Sequence, residues 1–309
     1  MEKRRLDISI REWLEESKSK AVKTLTYDRL LISLKLMEKY TVANTPVNEM
    51  TTRSIQKYLN ELVEDGYSMS TIRKQFNLIA AYWKWAMSQG LAANPIYMGV
   101  NLPSESRIAK PKREIEAYSH REQKLLMNRL MTLEKEQYGA AILMMEEGLR
   151  VGEALALLWD DVLWGSRAID IHQTLIRKST DNTTFVQNTA KSKHSKRIIP
   201  LSANALDILS RLESNKQFGD YVFSRPDNPK MPYSYSSVEF HIKQLCKDLG
   251  ISYKGLHAFR HTFATNCYER GCDVKILSKL LGHADVAITY NIYIHLYGNE
   301  LEAMRKVID

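Results

Sequence analysis

From the first residues to about Tyr97, apolar side chains return at three- and four-residue intervals, the repeat of helices that each bury one stripe. Four stripes separate: Ile10, Trp13 and Leu14; Tyr27, Leu30, Leu31 and Leu34; Ile55, Tyr58, Leu59 and Leu62; then Ile72, Phe76, Ile79, Trp83 and Met87. They predict four short helices packed as a small bundle. Thr51 or Thr52 stands where the third helix should start and Ser70 where the fourth should, while Gly66 and Gly90 occupy the expected stops.

Periodicity disappears between Asn94-Pro95 and Glu116, where Pro103, Ser104, Ser106 and Pro111 alternate with Arg107, Lys110, Lys112 and Arg113. This composition predicts an interdomain linker over residues 99–116, either a plain solvated tether or a basic strap across a phosphate backbone. The second half opens on the capping box Ser119-x-x-Glu122 and a helix through Leu125, Leu126 and Leu130. A further helix carries Ala140, Leu143 and Met144 up to Gly148, and a short one runs from Glu153 to Leu158. The period then shifts toward two, so that 168–176, 184–189 and 197–201 read as strands of one small antiparallel sheet. Helices return from Ala203 to the end, punctuated by Gly250, Gly255, Gly271 and Gly282. The expected class is mainly α with a small antiparallel β-sheet, in two domains, 1–98 and 117–309.

Length agrees, since 309 residues suffice for two lobes that each bury a core. Lys and Arg number 44 against 36 Asp and Glu, a formal charge of +8 that suits a polyanionic partner without requiring one. Cys246, Cys267 and Cys272 show neither a disulfide framework nor zinc-ligand spacing, and are expected to be reduced. No apolar run approaches membrane-spanning length and the N-terminus lacks an apolar signal core, so a soluble, cytoplasmic protein is expected.

Against this background, one set of residues carries chemistry. Arg150 follows Gly148, a helix stop, and lies three residues before Glu153; alone, the pair describes a surface ion bridge. Lys191 lies in the polar turn 189–197, where a hairpin tip could bring an ammonium to a leaving oxygen, although Lys193 and Lys196 are locally equivalent to it. His257 and Arg260, three apart at the start of a helix after Gly255, form a candidate phosphate site, with His261 beside them as a structural hydrogen-bonding residue. His283 follows Leu281-Gly282 at another helix end, where a histidine can cap or point into a cleft. Tyr290, Tyr293 and Tyr297 then recur at helical spacing, the pattern of a packing stripe as much as of a nucleophile. Arginines clamp phosphate oxygens, histidines and lysine move protons, and a phenol can carry a phosphoryl group.

The order and context of these residues resemble the tyrosine recombinases, or phage integrases, over nearly the whole chain, and most closely the mobile-element integrases. Residues 148–157 look like the family's first-arginine motif, His257-x-x-Arg260 like its H-x-x-R box, Leu281-Gly282-His283 like its L-G-H and Tyr293-Ile294-His295 like its Tyr-x-His. The resemblance implies an N-terminal four-helix core-binding (SAM-like) domain and a C-terminal α+β tyrosine recombinase catalytic domain that together clamp double-stranded DNA. It implies that Arg150 and Arg260 hold the scissile phosphate, Lys191 is the general acid, and His257 and His283 handle protons. Glu153 supports the site and Tyr293 attacks phosphorus to give a 3′-phosphotyrosyl link. That link conserves the phosphodiester energy, so no cofactor is expected, and two guanidiniums do the work of a metal, so none is expected either. The implied partners are paired DNA sites, on which a homotetramer assembles, and directionality or accessory proteins. Leu301, Met304, Val307 and Ile308 share one face of a tail helix, which would pack on its own domain or dock on a neighbouring protomer. Because the bundle pattern begins almost at Met1, the extra arm-binding domain of some integrases is not expected ahead of it.

Three other classes compete with recombination. A type IB topoisomerase-like nicking-closing enzyme shares the chemistry; a non-catalytic DNA-binding accessory protein would keep the clamp alone; a helical interaction protein would need neither.

Overall fold

The computed structural model describes residues 4–22, 24–108, 116–133, 136–178, 180–188, 196–213, 217 and 219–290. Contacts divide the chain into two compact units, one of residues 1–113 with 178–183, the other of 114–177 with 184–309.

The first unit contains the four expected helices, α1 (Leu6–Trp13), α2 (Thr24–Met37), α3 (Thr52–Glu64) and α4 (Met69–Ser88), with α1 running on into a π-helical turn at Leu14–Lys18. Its core holds the predicted stripes: Ile10, Trp13, Leu14, Leu34, Ile55, Tyr58, Leu59, Leu62, Ile72, Ile79 and Trp83 are all buried. Trp13 meets Tyr82 edge-on at 5.8 Å, and the buried Tyr58 hydroxyl donates to Gln75 Oε1 at 3.0 Å, whereas the buried Trp13 Nε1 has no hydrogen-bond acceptor among the described residues. Thr51 caps α3 as expected, but the cap of α4 stands two residues before Ser70: the helix starts at Met69 behind the Ser68 hydroxyl, which accepts from the Thr71 N–H at 3.4 Å. Both serines satisfy the composition rule for a cap, and the structure places Ser70 inside the helix. Past α4, Val100, Leu102 and Ile108 pack on this same core, and Gln56 exchanges hydrogen bonds with the backbone of Asn101 at 2.9 and 3.0 Å.

The second unit is organised around one central helix. After α5 (His120–Thr132), whose capping box is formed as predicted, α6 (Glu136–Glu146) packs against the later helices and buries Ala140 to Met144 completely. A helix apolar on every side belongs in the interior, which is why its amphipathic stripe was indistinct in sequence. The short α7 (Val151–Ala156) leads to β1 (Val162–Leu163), β2 (Ala168–Ile171), β3 (Gln173–Arg177), β4 (Thr184–Asn188) and β5 (Arg197–Pro200). The single strand expected over 168–176 is broken at His172: β2 joins a three-stranded antiparallel sheet in the order β1-β2-β5, and β3 pairs only with β4. A continuous run of β-favouring residues hides a change of partner, because pairing is a tertiary property. After α8 (Ala203–Leu212) a hairpin, β6 (Ser224–Arg225) and β7 (Asn228–Pro232), interrupts the series of helices expected from Ala203 onward. Then come α9 (Tyr235–Asp248), α10 (Leu256–Glu269) and α11 (Val274–Leu281). Among the described residues no helix is long and apolar enough to cross a membrane.

The start of α4 makes a direct test. Ser68→Ala should cost about 1 kcal/mol by orphaning an N-terminal donor, whereas Ser70→Ala, on an exposed helical position, should be neutral or slightly stabilising. Urea unfolding of the two variants measures this; equal losses would contradict the assigned cap.

Candidate active site

Gly148 turns the chain from α6 into α7 with a left-handed backbone, φ +67°, and a Cβ there would lie 2.4 Å from Phe263 Cδ1. Left-handed geometry and lack of room both favour glycine. Arg150 follows in extended conformation as the N-cap of α7. Its backbone N–H donates to Glu153 Oε2 at 2.9 Å and its Nη1 to Oε1 at 2.8 Å, so the expected Arg150–Glu153 pair forms. It is no surface bridge, however, because the Glu153 side chain is only 4 % exposed.

Opposite this corner stands the C-terminal end of α11, which stops at Gly282 in a left-handed conformation, φ 64° and ψ 43°. A helix end leaves its last four carbonyls without intrahelical donors. Here the N–H groups of Gly282 and His283 fold back onto the carbonyls of Lys279 and Ser278 at 3.0 Å each. The next two are taken by arginines: Arg197 Nε donates to the Leu280 carbonyl and Arg260 Nη2 to the Leu281 carbonyl, both at 2.7 Å. Arg150 Nη2 adds a bond to the Gly282 carbonyl at 3.1 Å. Three successive peptide oxygens, at the negative end of a helix dipole, thus receive three guanidiniums.

The three cations share one carboxylate. Arg197 grips Glu153 with Nη1 and Nη2 at 3.1 and 2.8 Å, and Arg260 Nη1 stops 3.9 Å short of it while donating to the Gly148 carbonyl at 2.7 Å. Burial alone would raise the Glu153 pKa, but bonds to Arg197 and the charges of Arg197 and Arg150 overcome it and hold the pKa at about 2. Burial, then the Arg150 charge, pull Arg260 down to about 9, so it stays charged at neutral pH under repulsion from its neighbours.

His283 joins this set through Nε2, 2.9 Å from Arg260 Nη2, and through Nδ1, 2.8 Å from Thr289 Oγ1. A guanidinium only donates, so Nε2 is the acceptor and Nδ1 carries the proton. Burial, followed by the Arg260 and Arg150 charges, lowers its pKa to about 4, which agrees with a neutral ring. His257, one turn before Arg260 on α10, is solvent-exposed yet crowded enough that desolvation and the same two arginines lower its pKa, as expected on a concave wall.

The phage integrase family model matches residues 117–300, about three fifths of the chain and all of this cluster. The chain belongs to the phage integrase family. It is thus a tyrosine-type site-specific recombinase, as the sequence resemblance implied. It is 28 % identical over 268 residues to a XerC-like tyrosine recombinase of Caldanaerobacter subterraneus subsp. tengcongensis, covering 78 % of this chain and 66 % of that protein. To the integrase of Staphylococcus phage L54a it is 26 % identical, covering 92 % and 87 %, and to the ICEBs1 integrase of Bacillus subtilis 26 % identical, covering 85 % and 72 %. The fold matches that of the Tn1549 transposon integrase, solved with transposon right-end DNA, at a TM-score of 0.80 and 16 % identity, over 99 % of this chain and 98 % of that one. A lambda integrase tetramer bound to a Holliday junction matches at 0.65 and 17 %, over 94 % and 77 %. Mobile-element integrases stand on both sides of the comparison.

Of the integrase residues named from sequence, the fold brings Arg150, Glu153, Arg260 and His283 into direct contact and sets His257 on the adjoining turn. Lys191 and Tyr293 lie outside the described residues, as does the segment 299–309 expected to form a tail helix. His261 departs from its expected role. Its ring makes no hydrogen bond among the described residues and lies 5.9 Å from that of His257, tilted by 60°, with burial and the His257 charge lowering its pKa to about 4. Sequence missed Arg197 altogether, since it reads there as the first residue of a strand behind a basic turn; its neighbour pattern separates it in no way from Lys193 or Lys196.

These pKa shifts set a pH dependence. His261 and His283 titrate near 6.5 when unfolded and near 4 when folded, so the unfolded chain binds protons that the folded chain refuses. Their contribution to stability is complete above pH 6.5 and gone below about 4. Glu153, 4.5 unfolded and about 2 folded, withdraws its own over the lower window. Melting temperature should therefore fall in two stages with acid, and His261→Asn should flatten the first stage alone; a variant with an unchanged slope between pH 6.5 and 4 would refute the assignment.

Proposed function

We propose that this cluster is the phosphate-holding wall of a DNA-cleaving site in which Tyr293 is the nucleophile. Its phenolic oxygen gives its proton to the exposed His257 ring and attacks the scissile phosphorus, the bond to the 5′ oxygen breaks, and Lys191 supplies the proton that makes that oxygen a hydroxyl. A 3′-phosphotyrosyl link results. The 5′-hydroxyl of a second strand then attacks the same phosphorus and returns the tyrosine, so bond energy is conserved and no cofactor takes part.

The observation that carries this reading is charge. Glu153 balances one of three guanidiniums, which leaves an excess of two positive charges beside the exposed His257. A phosphodiester bears one negative charge and the pentavalent state formed from it bears two. Two cations therefore match the transition state better than the ground state, the condition for rate acceleration. Arg150 uses two of its five donors on Glu153 and Gly282 among the described residues and has donors left for non-bridging oxygens. His283 serves by holding Arg260: its Nε2 accepts from Arg260 Nη2 while its Nδ1 donates to Thr289 Oγ1.

In this proposal residues 1–98 form a core-binding domain, 99–116 a linker and 117–309 the catalytic domain, together gripping double-stranded DNA in the cytoplasm. Assembly follows the lambda integrase tetramer bound to a Holliday junction: a homotetramer on paired sites, joined by directionality or accessory proteins.

A nicked duplex carrying the cognate site should trap a covalent protein–DNA adduct on a denaturing gel. Tyr293→Phe should abolish it, and Arg150→Ala should slow it by about 10²–10³-fold, as for the loss of one transition-state donor. An adduct that survives Tyr293→Phe would end the assignment. Relaxation of supercoiled plasmid with no sequence preference would instead favour the topoisomerase-like reading.

A further inference from the structure

Arg197 lies outside the residues to which the mechanism gives a role, yet its side chain makes three bonds in the cluster against two from the side chain of Arg150. Its side chain is 8 % exposed, and all three guanidinium nitrogens are engaged: Nη1 and Nη2 on the two Glu153 oxygens, Nε on the Leu280 carbonyl. With every nitrogen committed it has none left for a DNA phosphate, whereas Arg260, equally enclosed, keeps its Nε unengaged among the described residues. Arg197 also occupies the space behind Gly282, where a Cβ would stand 2.8 Å from its Nη1 and 3.1 Å from its Cζ.

We propose that Arg197 is a positioning residue, the dedicated counter-ion of Glu153, which keeps Arg260 turned toward the Gly282–His283 corner and so leaves Arg150 and Arg260 for the phosphate. The inference rests on the cleavage reading above.

The geometry gives the reason. Without Arg197, Glu153 keeps Arg150 Nη1 on Oε1 at 2.8 Å, but Oε2 is left with the Arg150 backbone N–H alone, and the next guanidinium is that of Arg260, 3.9 Å from it. A buried carboxylate oxygen that loses its charged donor is costly, so it recruits that further cation. Arg260 would have to swing less than 1 Å beyond hydrogen-bonding distance to reach it, giving up the Gly148 or Leu281 carbonyl and its bond to His283. The Leu280 carbonyl would lose its donor in the same step. Arg197 thereby separates two jobs that three identical side chains could otherwise exchange: one guanidinium neutralises the carboxylate, two face the substrate.

A double-mutant cycle on the full chain tests this. Arg197→Met should leave DNA affinity within about threefold, measured by anisotropy at fixed salt, and slow adduct formation on nicked DNA by about 10²-fold, the effect of an ångström-scale misplacement. Arg197→Lys, which keeps the charge but not the fork, should fall between. Adding Glu153→Gln to Arg197→Met removes the stranded charge, so the double variant should form adduct faster than Arg197→Met and melt at a higher temperature. A residue that only fills space gives no such recovery. Unchanged adduct formation in Arg197→Met, or a double variant neither faster nor more stable than the single one, overturns the proposal. Should Arg197→Met fail to fold, the comparison of the double variant with Glu153→Gln alone decides it: equal adduct rates support the counter-ion role, and a further loss of about 10²-fold overturns it. The melting-temperature arm needs no catalysis, and the wild-type adduct with its Tyr293→Phe control tests the cleavage reading separately, so the two can fail independently.

Discussion

The active-site wall depends on how a helix ends. When α11 stops at Gly282, two of its carbonyls find donors within the chain's own turn and two do not, and a peptide oxygen that leaves water without a donor carries a penalty of about 1–3 kcal/mol. Arg197 from β5 and Arg260 from α10 close that account, and Arg150 from the α6–α7 corner takes the Gly282 carbonyl beyond them. Four separate elements are thereby fixed by one turn of backbone. The same bonds that satisfy a helix end aim the charges.

That arrangement is stable only because the negative charge is placed with equal care. Three guanidiniums in one place repel: after burial, the Arg150 charge is the next cause lowering the pKa of Arg260, as the Arg260 and Arg150 charges are for His283, and Glu153 opposes these only in part. In the proposed reading the scissile phosphate relieves the residual repulsion, so the site exchanges some folded-state stability for affinity toward that anion, and burial together with the neighbouring cations keeps His261 and His283 neutral at physiological pH.

Much of this was legible in the chain, and the reasons for what was not are specific. Long stripes such as those of α3 and α4, and caps such as Thr51 and Ser119, depend on neighbours three or four residues away and were plain. The strand break at His172 and the hairpin over 224–232 were not, because each is decided by which distant segment pairs with it. In the site, Arg150, Glu153, Arg260 and His283 were visible through motif spacing. Arg197 was hidden, since its importance comes from two partners, 44 residues before it and 83 after it, and from nothing in its own neighbourhood.

The Leu-Gly-His turn shows how a motif can be read at two depths. Read as side chains, it offers a histidine. Read as backbone, its carbonyls are the scaffold on which the arginines rest, and its glycine is required twice: by a left-handed φ of 64° and by the Arg197 guanidinium lying where any Cβ would be. The histidine then has a definite place only because Arg260, already held by the Gly148 and Leu281 carbonyls, offers a fixed donor to its Nε2. The order of dependence runs from turn to arginine to imidazole, so a defect in the glycine would be felt at the histidine without touching it.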